Sequence, residues 1–181
     1  MLFMAFSVYA ADAILVFGLE NQFHTESIKL EKGSSLSLYA PSIGAYVSSC
    51  GVNEGNSLGV GISATFRDYY MADTLYSGVR VLFGASMFPF QKTLPISAIA
   101  GIILQPEWES SSNKDTTSFL FGLGTDIQIC SKINSAGLGI SLNLSAYPFF
   151  VTSNKSVKID KYNRFSIGFT IGCGVHSSVK G

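Results

Sequence analysis

The chain has 181 residues, enough for one domain with a sizeable core. Only 13% of them are charged, against about 25% in an average soluble domain, and 47% are apolar. The formal net charge is zero, which leaves no field to hold nucleic acid and too little charge to coat an ordinary soluble surface.

Residues 1–11 open on an apolar run ending in Val8-Tyr9-Ala10, with the small residues a signal peptidase requires. They are expected to form an export signal cleaved after Ala10 or Ala11, although no lysine or arginine precedes the run. Residues 12–181 are then one domain. No other run approaches the roughly 18 apolar residues of a membrane-crossing helix.

Strict alternation begins at Ile14. Over 14–24, Leu15, Phe17, Leu19 and Phe23 share one face, opposite Val16, Gly18, Glu20, Gln22 and His24. The charged segment 25–35 reads as a loop. The second strand, 36–49, changes parity: Leu36, Leu38 and Ala40 against Ile43, Ala45 and Val47. A bulge at Pro41-Ser42 would restore the faces. Residues 50–57 carry turn chemistry. From Leu58, aliphatic residues alternate with Gly59, Gly61, Ser63, Thr65 and Arg67, and 68–74 forms a polar connection. A fourth strand sets Val79, Val81, Phe83, Ala85 and Met87 against Gly78, Arg80, Leu82, Gly84 and Ser86, and stops at Pro89.

The fifth strand, 96–108, turns Ile96, Ala98, Ala100, Ile102 and Leu104 away from Ser97, Ile99, Gly101, Ile103, Gln105 and Glu107. A polar loop, 110–117, leads to a sixth over 119–130, with Asp126 and Gln128 on its polar face. After a turn at 131–135, the stretch 137–150 gives the clearest pattern. Leu138, Ile140, Leu142, Leu144 and Ala146 face one way, and Gly139, Ser141, Asn143, Ser145 and Tyr147 the other. A loop at 153–161 precedes the last strand, in which Phe165, Ile167, Phe169, Ile171, Cys173 and Val175 oppose Arg164, Ser166, Gly168, Thr170, Gly172, Gly174 and His176.

Eight strands joined as successive hairpins predict an all-β, eight-stranded antiparallel up-and-down barrel. The connections after the odd-numbered strands include the longest polar loops. The charges decide which face is inside. Glu20, Arg67, Arg80, Glu107, Asp126 and Arg164 all fall opposite the aliphatic stripe, together with most of the strand glycines. A water-facing surface of glycine would weaken the sheet and leave it without solubilising charge. The same residues suit a narrow lumen, with the aliphatics facing lipid, which makes the barrel a transmembrane one. Aromatics near strand ends fit interfacial girdles: Phe23, Tyr69, Tyr70, Tyr76, Trp108, Phe149, Phe150, Tyr162 and Phe165 at the long-loop end, Phe88 and Phe90 at the other.

This pattern of eight alternating strands after an export signal, with long loops on one side, resembles the small eight-stranded outer-membrane barrels, the group of the OmpA transmembrane domain, OmpX and OmpW. The stretch 166–173, SIGFTIGC, is similar to their assembly signal, but lacks aromatics at its last two positions, and the chain ends in SSVKG. The resemblance implies an integral protein in the outer membrane of a Gram-negative-type bacterium. Its partners would be outer-membrane lipid and host or environmental ligands at the outer loops, and its role structural, adhesion-type or that of a very small pore. The alternative is a soluble or periplasmic lipocalin-like barrel that turns its aliphatics inward around an apolar ligand.

Glu20, Arg67, Arg80 and Asp126 are the candidate site, a charge network across the lumen. Buried in so narrow an interior, each would cost several kcal/mol unpaired, so ion pairs that plug the lumen are expected. No cofactor, metal or catalytic group is expected. Cys50, Cys130 and Cys173 are odd in number, lack a CxxC pair, and read as small buried or outward side chains. Lipid-A-modifying enzymes share the architecture, but His176-Ser177-Ser178 lies at the wrong end and lacks their His-x-Ser-Asn arrangement. His24, with Glu26 and Ser27, reads as solvated polar surface.

Overall fold

A computed structural model describes residues 12–30, 35–52, 58–71, 74–88, 95–111, 114–153 and 159–178. The segment 1–11, expected as an export signal, lies outside them. Eight strands follow one another: β1 (Asp12–Leu30), β2 (Ser35–Val52), β3 (Leu58–Met71), β4 (Thr74–Met87), β5 (Ile96–Ser111), β6 (Lys114–Cys130), β7 (Ala136–Thr152) and β8 (Ile159–Ser178). Each pairs antiparallel with the next, and β8 pairs with β1, so the sheet closes into an up-and-down barrel. No helix among the described residues is long and apolar enough to cross a membrane, which says nothing about a barrel.

The alternation read in the sequence becomes inside and outside. On β7, Ser141, Asn143, Ser145 and Tyr147 are buried, while Leu138 and Leu142 are exposed. Around the barrel the outward face carries Leu19 at 65% exposure, Leu123 at 64% and Ile171 at 53%, whereas Arg80 and Asp126 are 0% exposed inside. Closure pairs backbone groups between neighbouring strands, so a sheet can present aliphatics outward without unpaired edges over its closed height.

Glycine explains how so narrow a cylinder closes. Gly61, Gly84, Gly101 and Gly124 lie opposite one another across β3, β4, β5 and β6. A second row, Gly139, Gly172 and Gly18, crosses β7, β8 and β1 on the opposite flank. At Gly84 a Cβ would lie only 2.6 Å from the Cα of Gly101. The strands approach too closely there for any side chain, as expected where a sheet curls sharply.

Two features differ from the sequence reading. No bulge interrupts β1–β2 at Pro41-Ser42, because Phe23 pairs Pro41 and Asn21 pairs Ile43 in unbroken register. Pro41 lies where β2 pairs β1 alone, since β2 pairs β3 only from Ile43 onward, and proline is best tolerated on such an edge. A bulge lies instead beside Pro148 on β7, while Pro106 on β5 keeps the register. Phe121 pairs Phe149 but Leu123 pairs Ala146, so Tyr147-Pro148 opposes the single residue Gly122. This flips the parity of the end of β7 and brings Phe150 against the buried cluster.

Three of the polar segments read as connections are also mostly strand. β1 runs to Leu30, β3 and β4 reach Met71 and Thr74, and β5 and β6 reach Ser111 and Lys114. Only four, two and two residues separate those pairs. At this upper end, β2 and β3 pair no further than Ile43 and Asp68, and β7 and β8 no further than Tyr147 and Arg164. The closed barrel therefore continues upward as two sheets, β8–β1–β2 and β3–β7.

Candidate functional site in the lumen

Several large inward side chains fill space that a glycine leaves beside them. A Cβ at Gly61 would lie 2.6 Å from Ile99 Cγ1, one at Gly78 3.1 Å from Glu107 Cγ, and one at Gly168 would run into Glu20 Oε1. The lower end of the lumen is apolar, filled by Ile14, Val16, Leu82, Phe88 and Ile99. Above it lie two polar layers of different character.

In the first layer, Arg80 on β4 reaches Asp126 on β6 with both arms of its guanidinium. Nη2 donates to Oδ1 at 2.7 Å and Nη1 to Oδ2 at 3.2 Å. Its Nε donates to Ser145 Oγ at 3.0 Å, and Nη1 also to Ser63 Oγ at 3.3 Å. Asp126 Oδ2 further accepts the hydroxyls of Ser63 and, at 3.2 Å, Tyr46. The Tyr46 oxygen in turn accepts from Ser141 at 3.1 Å and Gln128 at 3.2 Å. The single Ser141 proton is shared between the Tyr46 oxygen and Asn143 Oδ1, 2.8 Å away, and Asn143 Nδ2 donates to Glu20 Oε1 at 2.7 Å. Glu20, Asp126 and Arg80 are thus linked through hydrogen-bonding side chains, with Arg80 and Asp126 satisfied as a pair and Glu20 Oε2 without a hydrogen-bond partner among the described residues.

Arg67 does not join them. It lies in the second layer, built on Glu107, which receives Arg164 Nη1 at 2.8 and 2.9 Å on its two oxygens. Gln105 Nε2 also donates to Glu107 Oε1, and the Tyr69 hydroxyl to Oε2 at 3.3 Å. The Arg164 guanidinium stacks over Tyr69 at 5.4 Å and Tyr147 at 5.9 Å, and Tyr147 donates to Gln105 Oε1. Arg67 Nη2 comes no nearer than 3.7 Å to Glu107.

The four candidates are all in the lumen, but they divide three to one. Glu107 and Arg164 complete the second layer and were outside the expected network. The parity of the sequence put both on the inward face, close to the expected strand ends at Trp108 and residue 162. The strands run past both.

The aromatic assignment also needs correction. Phe23, Trp108, Phe149 and Phe165 do face outward, but Tyr69, Tyr162 and Phe88 are buried inside. Tyr76 stacks on Tyr69 with centroids 4.9 Å apart, and Phe150 stacks on Tyr162 at 4.5 Å. The side chain of Tyr70, and Phe90, lie outside the described residues. His24 is not solvated surface either. It is 1% exposed on β1, edge-on to Tyr69 at 4.7 Å. His176, at the lower end, accepts the N–H of Asn134 at 3.1 Å and fastens the β6–β7 turn, where Asn134 holds φ at 52°. Cys50 and Cys130 are buried and Cys173 is exposed, all as free thiols.

The arrangement defines a closed all-β barrel with its charge inside and its large aliphatics outside. No family model and no curated protein matches the chain. Among solved structures the barrel is similar to Neisserial surface protein A, NspA, with 16% identity and a TM-score of 0.47 over 89% of this chain and 97% of that one. It is likewise similar to Ail, the attachment invasion locus protein of Yersinia pestis, with 13% identity and a TM-score of 0.48 over 91% of this chain and 99% of that one.

Proposed function

We propose that the chain is an integral barrel of the outer membrane of a Gram-negative-type bacterium, with a plugged lumen and a structural or adhesion-type role at its upper end. The observation that carries this is the inversion of its faces. Large outward apolar side chains, including Leu19, Phe66, Ile102, Leu123, Phe169 and Ile171, surround an interior that holds the buried charges. A water-soluble protein rarely exposes an apolar patch beyond a few hundred Å². Lipid on that face removes the difficulty.

About 9–11 residues span a bilayer as a tilted strand. Strands of 14 to 20 residues therefore leave backbone to project. The two upper sheets would be the surface presented to the environment, in place of long loops, and would meet its ligands. The plug reading is supported by the first layer, where Arg80 and Asp126 lock β4 to β6 across the interior. Residues 1–11 would direct export.

Fractionation tests the assignment. The protein should leave the envelope only with detergent and migrate faster on a gel when unheated. Recovery in the aqueous fraction would return it to the soluble, ligand-holding alternative. In a planar bilayer the plug predicts no stepwise conductance, and regular steps would favour the small pore.

A further inference from the structure

We infer that the barrel pairs with a second copy of itself in the bilayer, through the outward face around Asn21 on β1. The inference rests on the membrane reading above. Asn21 stands between Leu19 and Phe23 in the outward alternation and is exposed. It pairs Ile43 on β2 and Phe169 on β8, both outward and exposed as well. An amide therefore lies among protruding apolar side chains, where lipid tails offer it neither donor nor acceptor.

The ladder shows how deep it lies. Through β2, β3, β4 and β5 its row runs Ile43, Asp68, Ser77 and Trp108, and reaches Thr117 on β6. Through β8 and β7 it runs Phe169 and Leu142, and reaches Ile127, ten residues further down β6. Rows climb because the strands are tilted, so the level of Asn21 meets β6 between these ends, near Leu123. Phe119 and Phe121 face outward above that level, Ile127 and Ile129 below it. Asn21 is thus inside the apolar belt. Asp68, the charge in the same row, stands higher, at the last pair that β2 makes with β3. Thr125 on β6 also faces outward within the belt but is half-buried.

A second copy meets the need of this amide without a foreign group. Copies inserted in one orientation carry Asn21 at one depth, and a two-fold axis along the membrane normal sets it against itself. An amide has both donor and acceptor, so two of them can exchange N–H···O bonds. Any other partner would have to bring its own polar group to this depth. Leu19 at 65% exposure and Ile43 at 59% flank the amide and pack around the pair. Lipid matches those side chains in polarity, so hydrogen bonds and packing drive the contact, not apolar burial. Two cylinders touch along a narrow stripe, which makes the dimer weak and dependent on the protein-to-lipid ratio.

The test reconstitutes the full barrel into bilayers, with Cys173→Ala and a dye on Lys132→Cys in the exposed lower turn. Energy transfer between donor- and acceptor-labelled copies should rise saturably with the protein-to-lipid ratio. Asn21→Leu, an apolar change on the lipid face, should move the midpoint about three- to thirtyfold higher. Asn21→Gln should keep most of the association, and Thr125→Leu all of it. Transfer at the level of random proximity, or equal association in Asn21→Leu, would overturn the dimer. So would an equal loss in Thr125→Leu. Each variant is checked for vesicle flotation and faster migration unheated: a barrel that passes both and stays monomeric overturns the dimer alone, and one that does not float overturns the membrane reading with it.

Discussion

The two polar layers of the lumen use the same residue types and treat charge in opposite ways. Around Arg80 the guanidinium has four hydrogen bonds, and the carboxylate it meets is held from two strands besides. Around Arg67, one period of the alternation beyond the Thr65 that Arg80 pairs with, an identical side chain has an incomplete ion pair and no hydrogen bond among the described residues. The difference is one of stoichiometry. In the lower layer Arg80 has its own counter-charge in Asp126, and Glu20 has Asn143 on one of its two oxygens. In the upper layer two arginines converge on a single carboxylate that Arg164, Gln105 and Tyr69 have already filled. Burial alone therefore does not tell which charges hold the barrel shut.

The sharpest way to break this comparison is Arg80→Ala. It leaves Asp126 buried without its counter-charge and should cost about 3–5 kcal/mol, seen as a large fall in the unfolding temperature in detergent. An unchanged temperature would mean the first layer holds nothing together. Asn143→Ala is milder: it removes the one hydrogen bond to Glu20 among the described residues, and should cost about 1–3 kcal/mol in denaturant titrations. Arg67→Gln should have the smallest effect, about 1 kcal/mol or less, or a slight gain, because it gives up no hydrogen bond among the described residues and removes a buried, poorly paired charge. If it proved as costly as Arg80→Ala, the two layers would be energetically alike and the contrast would fail.

Much of this was legible before any coordinates. The parity of Leu138 to Tyr147 fixed the faces of β7, and the agreement of six charges with the glycine face identified the lumen. What the sequence could not reveal depends on neighbours. A bulge is set by the pairing on both sides of a strand, so Pro41 and Pro148 look alike in the chain although only one sits in a bulge. Polar stretches such as 25–30 and 68–71 signal water, not a loop, and hairpins pair on through them once begun. Tyr69 and Phe88 were misplaced because closeness to a strand end was weighed above parity, which puts both inside. The division of Arg67 from Arg80 required knowing which strands face each other across the barrel, and alternation along a strand carries no such information.

The central claim is that grease faces lipid and charge faces the lumen. Spin labels measure it directly: a single cysteine at Leu142, or the native outward Cys173, in a background with the other cysteines replaced, after reconstitution into bilayers. The account predicts high accessibility to oxygen and low accessibility to a water-soluble nickel complex at both positions. Ready access of the nickel complex to Leu142 and Cys173 would contradict it and return the chain to water.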